Sequence, residues 1–412
     1  MSSIYKDLAR RTGDTVMIGV VGPTRTGKST FVKRIMETIV IPNIEDPLCA
    51  ERARDEMPQC GSGRMITTAE PKFVPEEAVE ICPDGVSRFH VRMIDSVGYV
   101  VPGALGAEED GEPRMVTTPW LDTEIPMAEA AEIGTKKVME NHSTIGIIVT
   151  TDGSITDLER EQYETAEEQS VRDMKETGKP FLVLLNSANP DGEETKELRE
   201  RLAAKYDVPV ISANCQTMQE QDILDLLKSL LMEFPVTEIK MYLPSWLNAL
   251  ENEYPLKEKL YEAMLEMVTK CGKISELQKA LNGFAQEITD AETQIEEVDL
   301  GQGSVTSRAV FPKQMFFDVL SEKCGMKIRD DGELMKQLAV LSSAKQSYEK
   351  VEAALEQVRQ TGYGIVQPTE DEMQLSAPEL IRHGNHYSLR LRASAPSIHM
   401  ICSKKKRSKV LK

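Results

Sequence analysis

Short apolar runs, separated by longer charged stretches, dominate the first half of the chain. The runs are Val16–Val21, Phe89–Ile94, Ile145–Val149, Pro180–Leu185 and Val208–Ile211. Continuous apolar runs of this length are typical of strands that are buried on both faces. Their alternation with helix-length stretches predicts successive β and α units, and therefore an α/β domain with a mostly parallel sheet.

The pattern changes after Phe234 and Pro235. Residues 256–299 and Gly332–Gln360 carry apolar side chains at a spacing of three to four, which predicts helices whose leucines and methionines form a core. Gln302–Val319 has strand character, and the alternating Tyr387–Ala393 favours a strand or hairpin. We therefore predict three parts, which are an α/β domain over residues 1–238, an α-rich α+β middle domain over 239–360 and a partial C-terminal segment over 361–412.

Composition and charge exclude several classes of protein. The net charge of −18 argues against a nucleic-acid partner. No apolar run approaches the ~20 residues of a membrane span, and the seven cysteines form no C-x-x-C pair, so we expect a cytoplasmic protein with free thiols. The basic end, Lys404–Lys412, breaks the acidic pattern. It is either an attachment point for anionic lipid or nucleic acid, or an accident of sequence.

The first apolar run leads directly into a phosphate-binding motif. Gly22–Ser29 reads G-P-T-R-T-G-K-S, which matches G-x-x-x-x-G-K-[ST], and a helix-like stretch from Ser29 to about Val40 follows. Lys28 is expected to reach the β- and γ-phosphates and Ser29 to hold Mg²⁺. The predicted nucleotide-binding residues are Gly22, Pro23, Thr24, Arg25, Thr26, Gly27, Lys28, Ser29 and Thr30, together with Gly98 and Asn186 further along the chain.

Later strand ends supply the remaining parts of a nucleotide site. Asp95 and Gly98 form a D-x-x-G after the second run, in which Asp95 would be a catalytic residue that binds Mg²⁺ and the Gly98 N–H would contact the γ-phosphate. Thr67 and Thr68 precede it and are candidates for closing onto Mg²⁺ and the γ-phosphate; alternatively they are β-formers at a strand edge. With strand ends at Asn186 and Ala213, this order is that of the Ras-like GTPase class of P-loop NTPases.

The strand that ends at Asn186 indicates which base is bound. Guanine-binding proteins carry N-K-x-D there, whereas Asn186–Asn189 reads N-S-A-N. The carboxylate that would accept from guanine is an amide, so ATP is the expected substrate, with Mg²⁺. Tyr99 stands where a Ras-type glutamine would position water, which predicts slow turnover, although Arg25 could stabilise charge. Two alternatives stay open, a guanine-nucleotide switch and a scaffold that binds nucleotide without useful hydrolysis.

Long loop strings give a more specific indication than these motifs. These strings include R-T-G-K-S-T-F at 25–31, E-P-K-F-V-P at 70–75, V-G-Y-V-V-P-G at 97–103, L-P-S-W at 243–246 and A-P-S-I-H-M at 395–400. In these strings the chain resembles the stage IV sporulation protein A family, the spore-coat morphogenetic ATPases of endospore-forming Firmicutes, from about Ile4 to Ile401.

The resemblance implies an ATPase that drives its own polymerisation into a platform around the forespore, on its mother-cell side, where spore coat proteins assemble. It implies ATP binding by Lys28, a Walker B role for Asp95 and a sensor threonine pair, of which Thr68 fills one position while Ala69 has lost the other hydroxyl. The family continues beyond the A-P-S-I-H-M string with a domain that binds a small amphipathic, membrane-associated protein. Here we expect either a truncated reading frame or a basic tail that replaces that domain.

Overall fold

A computed structural model describes residues 3–58, 70–102, 108–109, 112–288 and 291–403. The chain forms two compact units, Met1–Phe311 and Pro312–Lys412. The α-helices are α1 Ile4–Thr12, α2 Lys28–Ile35, α3 Pro47–Asp55, α4 Met127–Lys137, α5 Glu161–Glu176, α6 Glu193–Tyr206, α7 Glu220–Leu231, α8 Pro255–Lys270, α9 Leu277–Glu287, α10 Lys313–Cys324 and α11 Asp331–Thr361. Among the described residues, none of the helices is both long and apolar enough to cross a bilayer.

The main sheet of the first unit has six strands in the order β10-β9-β8-β1-β3-β2. They are β1 Thr15–Val21, β2 Lys72–Ile81, β3 Phe89–Asp95, β8 Ile145–Thr151, β9 Phe181–Asn186 and β10 Val210–Ala213. All neighbours are parallel except β2, which is antiparallel to β3. Five of the strands coincide with the apolar runs of the sequence, whereas the edge strand β2 has a mixed pattern that gave no signal.

Two apolar clusters cover the two faces of this sheet, because alternate residues of each strand point to opposite sides. Val16, Ile18 and Val20 pack with side chains of α1, α2 and α7, including Phe31 and Leu226. Val21, Ile148 and Val183 pack on the other face with side chains of α5 and α6. The sheet therefore lies between two layers of helices. The loops that follow its strands lie at the carboxyl edge of the sheet.

Short strands join β3 to α4 in the same unit. They are β4 Glu108–Glu109, β5 Glu112–Pro113, β6 Met115–Thr118 and β7 Leu121–Pro126, of which β6 and β7 form a hairpin. The N–H of Met127, the first residue of α4, donates to the Arg114 carbonyl at 2.8 Å. The hairpin therefore leads directly into the start of α4.

The first unit ends in a second sheet of order β11-β13-β12. Its strands are β11 Glu238–Tyr242, β12 Glu292–Asp299 and β13 Ser304–Val310. The prediction of helix over residues 256–299 holds for α8 and α9 and is wrong for β12. The sequence E-T-Q-I-E-E-V-D has its two apolar residues at a helical spacing, but antiparallel pairing with β13 determines its conformation.

The second unit is built on the long helix α11. Short antiparallel pairs follow it, with β14 Tyr363–Val366, β15 Gln374–Leu375, β16 Glu379–His383, β17 His386–Arg390, β18 Ala393–Ser394 and β19 Ile398–Ile401. The expected hairpin near Tyr387 is β16–β17. The prediction that the leucines of α11 form a core is wrong for Leu338 and Leu341, which are 52% and 46% exposed.

Candidate functional site

The G-x-x-x-x-G-K-S segment forms the loop between β1 and α2, at the carboxyl edge of the sheet. Gly22 has φ +128°, and a Cβ there would lie 2.4 Å from the Val149 carbonyl oxygen. Gly27 has φ +94°, and its Cβ would lie 2.3 Å from Asn186 Nδ2. Only glycine fits both positions. The first helical N–H bond back to the loop is from Phe31 to the Gly27 carbonyl, so the N–H groups of Lys28, Ser29 and Thr30 open the helix and face the loop side.

Lys28 is buried beside the loop that it follows. Its Nζ donates to the carbonyls of Pro23 at 2.6 Å and Gly22 at 3.3 Å, and the residue is 5% exposed. Burial lowers the pKa of Lys28 to about 8, against the opposing attraction of the Asp95 carboxylate. An ammonium group held by two loop carbonyls is placed to meet the phosphates that a loop of this type surrounds.

Asp95 and Ser29 come together as the sequence predicted. Ser29 Oγ donates to Asp95 Oδ2 at 2.5 Å, across the gap between α2 and the end of β3. Burial raises the pKa of Asp95, although the Ser29 hydroxyl and the Lys28 charge favour its ionised form. The second carboxylate oxygen, Oδ1, is buried without a hydrogen-bond partner.

This pair of residues fits a magnesium ion. A hydroxyl and a carboxylate with an unsatisfied oxygen are the oxygen ligands that Mg²⁺ prefers, directly or through water. A buried and unpartnered carboxylate oxygen also costs free energy unless a cation or donor reaches it. Ser29 and Asp95 are therefore the residues that would hold Mg²⁺.

The segment that follows Asp95 lies against the phosphate loop. The Tyr99 N–H donates to the Gly22 carbonyl at 3.1 Å, and the Thr24 N–H donates to the Tyr99 carbonyl at 2.8 Å. The Gly98 N–H donates to Thr135 Oγ1, at 3.0 Å, in the last turn of α4. Gly98 therefore adjoins the loop as expected, while its N–H contacts a threonine that the sequence did not single out.

Tyr99 occupies the position of a Ras-type glutamine but points elsewhere. Its ring is 3% exposed, and its hydroxyl donates to Asp173 Oδ2 at 2.5 Å in α5. Burial and the Asp173 carboxylate raise the pKa of Tyr99 well above the usual range. A neutral phenol held in the core is not placed to orient an attacking water, and slow turnover stays a prediction.

Asn186 supports the phosphate loop from the neighbouring strand end. Its Nδ2 donates to the Thr26 carbonyl at 3.0 Å, and its Oδ1 accepts from the Cys215 N–H at 3.1 Å. The residue is 4% exposed, so both ends of the amide are used inside the protein. Asn186 therefore acts as a brace, by which we mean that it links the end of β9 to the phosphate loop and to the loop after β10.

The loop after Asn186 is ordered by its own side chains. Ser187, where guanine-binding proteins have lysine, is fully buried, and its Oγ accepts from the Asn189 N–H at 3.0 Å. Asp152 follows β8, and hydrogen bonds from Ser154, Ser187 and Thr195 outweigh the effect of its burial and lower its pKa. The Ser154 hydroxyl in turn accepts from the Ala188 N–H at 2.9 Å. These contacts join the two loops at the predicted base end of the site.

A surface cavity of about 410 Å³ lies beside these loops. Its lining residues include Asp152, Gly153, Thr156, Leu158 and Arg160. Below it, Arg160 and Tyr206 both donate to the fully buried Glu167, at 2.6 and 2.8 Å. No sequence motif included Arg160, Glu167 or Tyr206, because these residues become neighbours only through the fold.

The other predicted residues divide into two groups. Thr24 Oγ1 accepts from the Val101 N–H at 3.3 Å and Thr26 Oγ1 donates to the Pro23 carbonyl at 3.0 Å, so both hydroxyls serve loop structure. Arg25 has φ +64° and is half-buried at the tip of the loop. Thr67 and Thr68 lie outside the described residues, and so does the basic end Lys404–Lys412.

Comparisons with known proteins identify the family of this chain. The family model "Stage IV sporulation protein A, ATPase domain" matches residues 1–235, and the model for the middle domain of the same family matches residues 236–406. The stage IV sporulation protein A of Clostridioides difficile is 43% identical over 400 residues, which cover 97% of this chain and 82% of that protein. Those of Bacillus anthracis and Bacillus subtilis are 44% and 42% identical, again over 97% of this chain and 81% of each relative. The chain therefore belongs to the stage IV sporulation protein A family, as an α/β nucleotide-binding ATPase domain followed by a middle domain.

Proposed function

We propose that the ATPase domain hydrolyses ATP with Mg²⁺, and that turnover drives self-assembly into a platform for spore coat proteins on the mother-cell side of the forespore. The observation that carries the enzymatic part is the Ser29–Asp95 pair beside the buried Lys28 ammonium. The family's ATPase domain and the relatives named for sporulation support the setting.

Each residue of the site has a physical task in this reaction. Lys28 neutralises charge on the β- and γ-phosphates, and the N–H groups at the start of α2 bind phosphate oxygens. Ser29 and Asp95 would hold Mg²⁺, which would supply positive charge to offset the negative charge of the phosphates. Asn186 keeps the loop in its phosphate-binding shape through Thr26. We propose Thr67 and Thr68 as the nucleotide sensor.

The base end favours ATP over GTP. Discrimination of guanine needs a carboxylate acceptor at position 189, where this chain has an exposed Asn, and a lysine at 187, where it has a buried Ser. A guanine-nucleotide switch is therefore not favoured. A scaffold that binds ATP without useful hydrolysis differs from the proposal only in the absence of phosphate release.

Self-assembly requires surface that copies of the chain can bury. Met335, Leu338, Val340, Leu341 and Tyr348 of α11 are exposed, with Met335 at 68% and Val340 at 62%. Lys345 and Glu352 lie on the same helix and supply both signs of charge. An apolar and charge-balanced helix of this kind suits contact with a second copy.

The test is phosphate release from ATP and from GTP by the purified chain, with Mg²⁺ or with a chelator, and sedimentation in the same samples. ATP turnover that requires Mg²⁺ and accompanies sedimentation supports the proposal. Preference for GTP favours the switch. ATP binding without phosphate release would leave the scaffold and overturn the enzymatic part.

A further inference from the structure

The D-x-x-G motif predicts that the Gly98 N–H contacts the γ-phosphate, and in the structure this N–H has another acceptor. It donates to Thr135 Oγ1 at 3.0 Å, and the contact is buried. Thr135 has no exposed surface and belongs to the last turn of α4, some distance along the chain from every nucleotide motif.

The surroundings of Gly98 hold it close to the phosphate loop. A Cβ on Gly98 would lie 2.1 Å from the Gly22 carbonyl oxygen and 2.5 Å from Lys28 Nζ. The next residue, Tyr99, is joined to the loop by its N–H and its carbonyl. The position of Gly98 beside the loop is therefore restrained, and the partner of its N–H depends on the orientation of the Val97–Gly98 peptide. Gly98 has φ +90°, a region that glycine tolerates without strain.

A single N–H donates a good hydrogen bond to one acceptor at a time, because the bond weakens steeply as it departs from linearity. We propose that Thr135 is a positioning residue whose hydroxyl competes with the γ-phosphate for the Gly98 N–H. This inference rests on the proposed function. The competition opposes the binding of a nucleoside triphosphate and leaves a diphosphate unaffected, since only the triphosphate reaches that donor.

Neighbouring contacts also link Tyr99 to α4, so a change in the acceptor of the Gly98 N–H acts on this helix. Lys136, the next residue of the helix, lies 3.5 Å from the Asp173 carboxylate that accepts from the Tyr99 hydroxyl. Thr135 thus contacts Gly98 directly, and Lys136, in the same helix turn, contacts the carboxylate that binds Tyr99. When the Gly98 N–H donates to the γ-phosphate, the buried Thr135 hydroxyl no longer accepts a hydrogen bond from it. The end of α4 is therefore the element that loses a stabilising contact.

The experiment compares affinities for ADP and for a non-hydrolysable ATP analogue, by calorimetry with Mg²⁺, so that no turnover is needed. Thr135→Val removes the hydroxyl and keeps the shape of the side chain. We expect it to bind the ATP analogue about three- to tenfold more tightly, the value of one hydrogen bond, while ADP affinity changes by less than about twofold. Thr135→Ser keeps the hydroxyl and is expected to retain the wild-type ratio. Thr135→Ala replaces Thr135→Val if the latter does not fold.

Ser170→Ala is the matched control, because Ser170 in α5 is also fully buried and its Oγ donates at 2.6 Å to the Ala166 carbonyl of its own helix. It is expected to leave the ratio unchanged. Equal weakening of both nucleotides by Thr135→Val would mean a merely structural threonine and would overturn the inference, and so would an unchanged ratio. A wild-type chain that binds neither nucleotide would overturn the proposed function and the inference with it.

Discussion

Lys28 shows how burial changes the chemistry of a single side chain. Its ammonium is removed from water and donates to two loop carbonyl oxygens, and this burial lowers its pKa to about 8. An exposed lysine keeps its charge through the whole physiological range. Lys28 therefore loses its proton at a lower pH than an exposed lysine does.

This leads to a prediction for the pH dependence of ATP binding. Phosphates bind the charged form, and above pH 8 a growing fraction of Lys28 is neutral, so the affinity should fall by up to about tenfold per pH unit between pH 8 and 10. Calorimetry in buffers of different ionisation enthalpy should also detect proton uptake on binding. Lys28→Arg, which stays charged, should remove the pH dependence, and Lys28→Ala should bind no ATP. A flat profile for the wild type would contradict the prediction.

Asp95 gives a second prediction at this scale. Asp95→Ala removes the carboxylate that would hold Mg²⁺ and leaves Lys28 and the loop amides in place. ATP binding should be largely retained while phosphate release falls about 100-fold or more. Asp55→Ala, at an exposed carboxylate at the end of α3, serves as the control and should change neither quantity. Turnover that survived in Asp95→Ala would remove this residue from the proposed mechanism.

At the scale of elements, the site depends on contacts between loops that are distant in sequence. Asn186 joins the end of β9 to Thr26 in the phosphate loop and to Cys215 after β10. The same strand end in a guanine-binding protein is associated with base recognition. Here a hydrogen bond at each end of the amide indicates that Asn186 holds the loop.

A substitution at Asn186 separates these two tasks. Asn186→Ala leaves the Thr26 carbonyl and the Cys215 N–H without their partner, so the free energy of unfolding should fall by about 1–3 kcal/mol. Affinity for ATP and for GTP should fall together, because the loop loses its brace and the base contacts are unchanged. Chemical denaturation and nucleotide binding check the two parts. Asn189→Ala, at an exposed residue of the loop that follows β9, is the control and should leave the free energy of unfolding unaltered. A changed ratio of ATP to GTP affinity in Asn186→Ala would contradict the role of Asn186 in holding the loop.

For the whole molecule, the sequence assigned the family correctly. The fold class and the assignment to sporulation ATPases are confirmed by the family models and by relatives of more than 40% identity. Mg²⁺ dependence, self-assembly and the predicted domain boundaries after residues 238 and 360 stay predictions.

The side of α11 that exposes Leu338 and Leu341 provides a test of self-assembly. Leu338→Glu combined with Leu341→Glu places like charges on this face, so sedimentation with ATP should be lost, because two copies would bring four carboxylates together. Phosphate release per chain should persist. Ser343→Glu combined with Gln346→Glu adds the same charge at exposed polar positions of the helix and is the control. Unchanged sedimentation of the leucine variant would exclude this face as the contact.

The sequence by itself determined the elements whose signal is local. Five buried strands were visible as apolar runs, and the phosphate loop was visible because glycine, lysine and serine are each needed at one fixed position of a strand-to-helix turn. The tertiary structure alone decided where strand β12 pairs, that Leu338 and Leu341 of α11 are exposed, and that Thr135 contacts Gly98. These depend on which surfaces meet after folding, and residues far apart in the chain leave no periodic or motif signal of such a meeting.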